Sequence, residues 1–262
     1  LFVDSVGLRD RALQYGDGFF TTILVEKGQL CLWHYHQARL VSHAQALGIS
    51  LPDIEQIKTE LDVRANECSR GVLKLLVSRG EGGRAYSPTG ANEPALAVYL
   101  SDYPSHYQQL QSTGLRLADS EQPLASGGQV TGLKTLNRLE QVLLRRDAER
   151  LDVDELVCTD IRGNLVEGVS ANICFRKGNT LYVPALSFAG IKGVQRQWMI
   201  DNVKASPFRL VIDEFPIAQL REAEEIIVSN AILQFAPVKS YNQRHYDDFS
   251  ATQWLLSAVN TL

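Results

Sequence analysis

Lys134 stands in Thr131-Gly132-Leu133-Lys134-Thr135-Leu136-Asn137, immediately ahead of a segment with strong helical periodicity. An amine just before a helix N-terminus feels the positive end of the dipole, which disfavours its charged form. The free amine is the nucleophile of Schiff-base chemistry, so this is a position at which a lysine can do covalent work. Thr135 or Asn137 is expected to cap the helix that follows. Read alone, a solvated loop lysine is the commoner explanation of such a residue.

Glu167 is the second candidate. In Asn164-Leu165-Val166-Glu167-Gly168-Val169-Ser170-Ala171-Asn172 an acid ends an apolar run, and small residues after it leave room for a ligand. A buried carboxylate is costly unless a positive group answers it. A protonated pyridine nitrogen would do so, and the acid would keep that ring an electron sink. A turn glutamate in solvent is the plainer alternative. The third candidate is a phosphate cradle, Gly190-Ile191-Lys192-Gly193-Val194-Gln195-Arg196, where glycines open a helix whose free N–H groups favour an anion. Arg39, on an earlier helix, offers a bidentate clamp, and Ser229-Asn230-Ala231 follows an apolar strand with amides to complete the cradle. There is no Walker-type loop and no GxGxxG. Finally, Arg79-Gly80-Glu81-Gly82-Gly83-Arg84-Ala85-Tyr86-Ser87 gathers two arginines and a tyrosine on a glycine loop, a composition suited to carboxylates.

The elements that must position these groups are mixed. An apolar, β-like run at 19–25, a Lys27-Gly28 turn and a second run at 29–33 predict a hairpin. Leu40, Ala44 and Leu47 recur at helical spacing over 34–47, and Gly48 closes that element. A helix is predicted at 52–69, then strands at 72–78 and 95–101. Residues 137–150 read as a helix with Leu139, Val142, Leu143 and Ala148 inward. Short strands follow at 155–159, 165–167, 172–175 and 181–183, a helix at 193–203, strands at 209–213 and 225–229, and a helix at 249–260. Strands and hairpins in both halves make this an α/β (α+β) protein rather than a regular βαβ alternation. Little apolar periodicity at 102–113 marks a boundary. The expected division is an N-terminal α/β domain over 1–106, a linker at 107–113, and a C-terminal α/β domain over 114–262 carrying Lys134.

At 262 residues, 45% hydrophobic and 21% charged, the chain has ample core material. A net charge of -4 argues against nucleic acid as the main partner. Cys31, Cys68, Cys158 and Cys174 form no CxxC pair, and no residues complete a metal set with His34 and His36, which read as a polar helix end. No stretch approaches the ~20 apolar residues of a membrane span. No signal peptide is evident, so a cytoplasmic setting is expected.

In chain order these pieces resemble the fold-type IV class of pyridoxal-phosphate enzymes, which holds branched-chain aminotransferases, D-amino-acid aminotransferases and aminodeoxychorismate lyases. The matching segments are DRALQYGDGFFTT (10–22), Arg39-Leu40, LKTLNRLEQVLLRRDAE (133–149), LVEGVSANICF (165–175), GVQR (193–196) and VSNAILQFAPV (228–238). The resemblance implies two domains with pyridoxal 5'-phosphate between them, and a homodimer. It implies Lys134 as the Schiff-base lysine and Glu167 as the partner of the pyridine nitrogen. Arg39, the Val194 and Gln195 amides, and the Asn230-Ala231 turn are the implied phosphate contacts. KTLNRLEQV, RGEGGRAYS and SNA are each similar to the lyase version of their segment, although Ala85 replaces a glycine usual there. The expected activity is conversion of 4-amino-4-deoxychorismate, a small anion, to 4-aminobenzoate and pyruvate. Arg79, Arg84 and Tyr86 are expected to grip its carboxylates, and Lys134, Thr22 or Tyr86 to supply the closing proton. The alternative is an aminotransferase acting on D-amino or branched-chain amino acids.

Overall fold

In the computed structural model, which describes residues 2–260, the chain divides into two units, Leu1–Tyr103 with Leu133–Arg138, and Pro104–Gly132 with Leu139–Leu262. The outermost residues of the two expected domains, 1 and 261–262, lie outside the described residues.

The first unit is built on period-two alternation. A short helix α1 (Arg11–Tyr15) precedes β1 (Gly18–Glu26), in which Phe19, Thr21, Ile23 and Val25 are buried on one face. Lys27 and Gly28, both with positive φ, turn β1 directly into β2 (Gln29–Leu30), pairing Val25 with Leu30 and Glu26 with Gln29. Then come α2 (Trp33–Leu47), α3 (Ile54–Ala65), β3 (Arg70–Ser78) and β4 (Ala95–Asp102). The second strand is shorter than expected because Leu32 takes a left-handed φ and Trp33 already begins α2. The sheet, in order β2-β1-β3-β4, is antiparallel throughout. Phe19, Ile23 and Val25 meet Leu40 and Ala44 of α2 and Ile57 and Leu61 of α3 in one core.

The second unit opens with α4 (His106–Thr113). This replaces the linker expected at 107–113: Tyr107 and Leu110 pack on the second unit's core, and Gln111 donates to the Leu233 carbonyl. It continues through β5 (Leu115–Asp119), α5 (Leu139–Arg150), β6 (Glu155–Thr159), β7 (Leu165–Glu167), β8 (Asn172–Lys177) and β9 (Thr180–Pro184). It finishes with α6 (Val194–Asn202), β10 (Arg209–Asp213), α7 (Ile217–Arg221), β11 (Glu225–Asn230), β12 (Gln234–Tyr241), β13 (Arg244–His245) and α8 (Ser250–Val259). The sheet runs β10-β9-β8-β11-β12-β5-β6-β7, and β7 pairs back onto β8 through Glu167 and Asn172, which closes it into a barrel. On α5 the buried residues are Leu144 and Ala148, whereas Leu139, Val142 and Leu143 are exposed. Of the residues expected inward, Ala148 is covered and the other three are not, because apolar residues extend over more of the helix than the core does. Lys134, expected with the C-terminal domain, belongs by its contacts to the first unit.

Candidate active site

Residues 134–137 lie along the start of β1 like an added strand. The Lys134 carbonyl accepts from the Phe20 amide at 3.0 Å, and the Leu136 amide donates to the Gly18 carbonyl at 3.0 Å. Between them, Thr135 bridges to Phe19. On the other side of the peptide, the Lys134 N–H donates to His43 Nε2 at 2.9 Å. The amine itself sits 4.4 Å from the centre of the Phe20 ring. Thr135 and Asn137 do not cap α5: Asn137 Nδ2 donates to the Gly16 carbonyl, and Thr135 Oγ1 accepts from Arg138. Since α5 begins only at Leu139, the dipole argument for Lys134 loses its basis, because that field acts within the first turn.

What surrounds Lys134 instead is a buried basic cluster. His36, Arg39 and His43 repeat at helical spacing on α2 and all face inward. Thr21 Oγ1 accepts from Arg39 Nη1 at 3.3 Å and bonds His36 Nδ1 at 2.6 Å. Burial brings the Arg39 guanidinium down to about 10. Burial, then Arg39 and Lys134, depress both imidazoles, His36 well below its usual value and His43 to about 4. His36 is thus no polar helix end. Three basic side chains at i, i+3 and i+7 among Leu40 and Ala44 were the available signal. Thr22, the expected reactive threonine, lies by alternation on the Phe20 face of β1 and is half-buried, and its neighbour Thr21 joins the basic cluster.

The two histidines make stability pH-dependent. Their folded-state values lie below the unfolded one, so the unfolded chain binds more protons between these values, and stability falls as pH drops. The window for His43 is pH 6.5 to 4, worth about 3 kcal/mol. Melting temperature is expected to be level above pH 6.5 and to decline steeply towards pH 4. A flat profile across that range would contradict the burial of neutral imidazoles.

The arginine loop is organised from beneath. Arg11, 4% exposed, donates to the carbonyls of Gly82, Ala85, Tyr86 and Ser87 and through Nε to Asp17 at 2.7 Å. Arg79 also reaches Asp17, at 2.8 Å, and caps the end of α2 at the Leu47 and Gly48 carbonyls. Burial opposes the Asp17 charge, yet the two guanidiniums hold its carboxyl below the usual range. Arg79, expected to grip substrate, is therefore a loop anchor whose nitrogens are engaged. Arg84 and Tyr86 are exposed, and Tyr86 stands edge-on to Tyr15. Beside them lies a cavity of about 480 Å³ lined by Arg9, Arg11, Tyr15 and Arg84 among others. Ala85 holds φ +52 where glycine would be unstrained.

In the second unit, Glu167 is 5% exposed at the end of β7. Its Oε2 accepts from Asn172 Nδ2 at 3.0 Å and from the Ile191 amide at 2.9 Å. Asn172 also donates to the Ile191 carbonyl and accepts from the Gly193 amide at 3.1 Å, so one side chain ties the acid to the start of α6. Both glycines of the loop are sterically required. A Cβ on Gly190 (φ +88) would come within 2.6 Å of Val166, and one on Gly193 within 2.1 Å of Asn172 Oδ1.

Gly193 caps α6 without a side-chain bond, leaving the amides of Val194, Gln195 and Arg196 as the first-turn donors. The Gln195 side chain is 1% exposed, and among the described residues neither its amide nitrogen nor its oxygen has a partner. A buried orphan amide at an uncapped helix N-terminus fits a polar, anionic ligand end. Asn230 folds onto its own turn, accepting from the Ile232 and Leu233 amides and donating to the Ser170 carbonyl. Its side chain is thereby engaged, so any contact it lends with Ala231 comes from the backbone. Glu155, unremarked in the sequence, fixes the turn after Glu167: it accepts from the Val169 and Ser170 amides, the Ser170 hydroxyl and Arg145. Burial pushes its carboxyl up, and those four donors pull against it. Among the described residues no group of His, Cys, Asp and Glu is arranged to hold a metal ion.

A closed barrel with a buried acid and an uncapped helix, and a smaller unit presenting a clamped lysine, are the equipment of a cofactor-dependent enzyme. The chain belongs to the class IV aminotransferase family, whose model matches residues 18–241. It is similar to the aminodeoxychorismate lyase of Vibrio harveyi, 31% identical over 89% of this chain and 86% of that protein. Among solved structures it is similar to 4-amino-4-deoxychorismate lyase from Pseudomonas aeruginosa, with 32% identity, a TM-score of 0.90, and coverage of 99% of this chain and 96% of that one. A D-alanine aminotransferase of Bacillus licheniformis is 26% identical over 90% of this chain and 83% of that protein.

Proposed function

We propose that this chain is a pyridoxal-phosphate-dependent lyase that converts 4-amino-4-deoxychorismate to 4-aminobenzoate and pyruvate. One observation carries the cofactor assignment. Asn172 joins a buried carboxylate to an uncapped helix N-terminus, which suits a ligand with a basic ring nitrogen at one end and a phosphate at the other. The lyase relatives, at 31% and 32% identity, favour that reaction over transamination.

When bound, the cofactor supplies a carbonyl that takes up the substrate amine and a protonated ring that absorbs the electron pair left by a departing proton. Glu167 holds the ring nitrogen protonated, and Asn172 and the Ile191 amide keep its carboxylate in place. The Val194 and Gln195 amides and the Asn230-Ala231 turn would receive the phosphate, and Arg39 is the further contact that the family resemblance implies. Lys134 is the covalent attachment point; released, its amine takes the proton from the amine-bearing carbon. The enolpyruvyl group then leaves with its bonding pair, accepts a proton from Lys134, Thr22 or Tyr86, and becomes pyruvate while the ring aromatises. Arg84 and Tyr86, exposed at the Arg11-braced loop, are the carboxylate grips. Arg79, already engaged, braces that loop.

The same reading takes the protein to be a cytoplasmic homodimer; the exposed Leu139, Val142 and Leu143 of α5 supply an apolar face for a second copy. No helix among the described residues is long and apolar enough to cross a membrane.

The test is a product assay with aminodeoxychorismate and no oxo acid. Formation of 4-aminobenzoate and pyruvate in equal amounts is expected. No product there, with turnover of D-alanine or leucine once an oxo acid is added, would establish the aminotransferase instead.

A further inference from the structure

His43 is used by nothing in the reaction above, yet it is 5% exposed and its Nε2 meets the backbone of Lys134 at 2.9 Å. An imidazole nitrogen that accepts an N–H is unprotonated, so the ring is neutral and carries its proton on Nδ1, which lies 3.4 Å from Ser42 Oγ. The ring leans on Phe19 with centroids 5.6 Å apart, and Phe19 is itself bridged to Thr135. β1 therefore secures the carbonyl side of Lys134, through Phe20, while α2 secures the amide side through His43.

We propose that His43 is a positioning residue for Lys134, its neutral ring accepting a hydrogen bond from the Lys134 amide and so fixing the backbone from which the working amine projects. The inference rests on the reading of Lys134 as that amine. The amine lies at the end of a long, flexible stem. A small rotation at its Cα moves it far enough to matter, since a misplacement of 1 Å costs about 10²-fold in rate. The ring must also stay uncharged to do this. Protonated Nε2 would become a donor facing another donor, with Arg39 on the same helix and Lys134 opposite as charged neighbours. Burial, with the Arg39 guanidinium beside it, keeps the ring neutral across the working range, whether or not the Lys134 amine carries a charge.

Three measurements on the cofactor-loaded protein test this. Nitrogen-15 spectra of the parent are expected to show His43 protonated on Nδ1 alone and untitrated down to pH 5. An Nε2–H tautomer, or titration near pH 6.5, overturns the proposal whatever any variant does. His43→Leu removes the acceptor, and His43→Gln restores one, since a glutamine carbonyl reaches about where Nε2 lies. Hydrogen exchange at the Lys134 amide is expected to quicken about tenfold in the leucine variant and to stay near the parent in the glutamine variant. Correspondingly, kcat is expected to fall about 10²-fold with leucine while KM changes little, and to recover in large part with glutamine. Unchanged exchange with leucine, or equal losses in both variants, also overturns it. The exchange and tautomer results do not depend on which reaction is catalysed. If they hold while no 4-aminobenzoate forms, the positioning role stands and the lyase assignment falls.

Discussion

Lys134→Ala is expected to lower 4-aminobenzoate formation by about 10⁴-fold while leaving the fold intact. The two effects separate because the structure divides the residue's duties. Its peptide group makes the contacts to Phe20 and His43, which alanine keeps, and what is lost is the side chain with its amine over the Phe20 ring. The amine–ring contact contributes about 0.5–1 kcal/mol to stability, and the melting temperature of the cofactor-free variant measures what the whole side chain adds. Borohydride treatment of the holoenzyme should fix the cofactor to the peptide containing Lys134 and leave the alanine variant unlabelled. Full activity in that variant would remove the basis of the mechanism, and labelling at another lysine would reassign it.

The second large effect is at Glu167, where two substitutions divide charge from architecture. Glu167→Gln preserves an oxygen for the Ile191 amide but removes the negative charge, so kcat should fall about 10²–10³-fold with little loss of stability. Glu167→Ala removes the acceptor as well. It leaves the Ile191 N–H and Asn172 Nδ2 without it, a destabilisation of about 1–3 kcal/mol in addition to the loss of rate. Steady-state kinetics and thermal melts of both variants decide. Equal rate losses with equal destabilisation would show that the acid serves the fold and has no electronic part in the chemistry.

The strands were legible as short runs of aromatic and β-branched residues bounded by turn formers, as at Phe19, Phe20, Ile23 and Val25 before the Lys27-Gly28 turn. Helix faces were harder. α5 carries apolar residues on more than one side, and nothing in its sequence says that Leu139, Val142 and Leu143 remain uncovered within the chain. The stretch at 102–113 looked like a linker because α4 is polar and has no buried residue of its own, docking instead through the half-buried Tyr107 and Leu110.

At the site, Lys134 and Glu167 stood out through their company in chain order. The residues that hold them did not. Asn172 and Glu155 act through hydrogen bonds to main-chain groups distant in sequence, which leave no periodicity to read, and His43 shows only as one of three basic residues at helical spacing on α2. Arg79 illustrates the converse. Its sequence context promised a ligand contact, and only the fold reveals that the end of α2 and Asp17 already engage it.

Arg11 shapes the loop at 82–87 by binding four of its carbonyl oxygens, and carbonyls are the same whatever side chains the loop carries. Backbone geometry and substrate preference are thereby uncoupled. On the proposal that Arg84 and Tyr86 grip the substrate, substitutions there are expected to change which anions bind without reshaping the support beneath them. Selection has an interchangeable cassette there, mounted on a fixed bracket. Descendants of one ancestral scaffold can diverge in diet through these few positions while the catalytic lysine and its acid stay untouched.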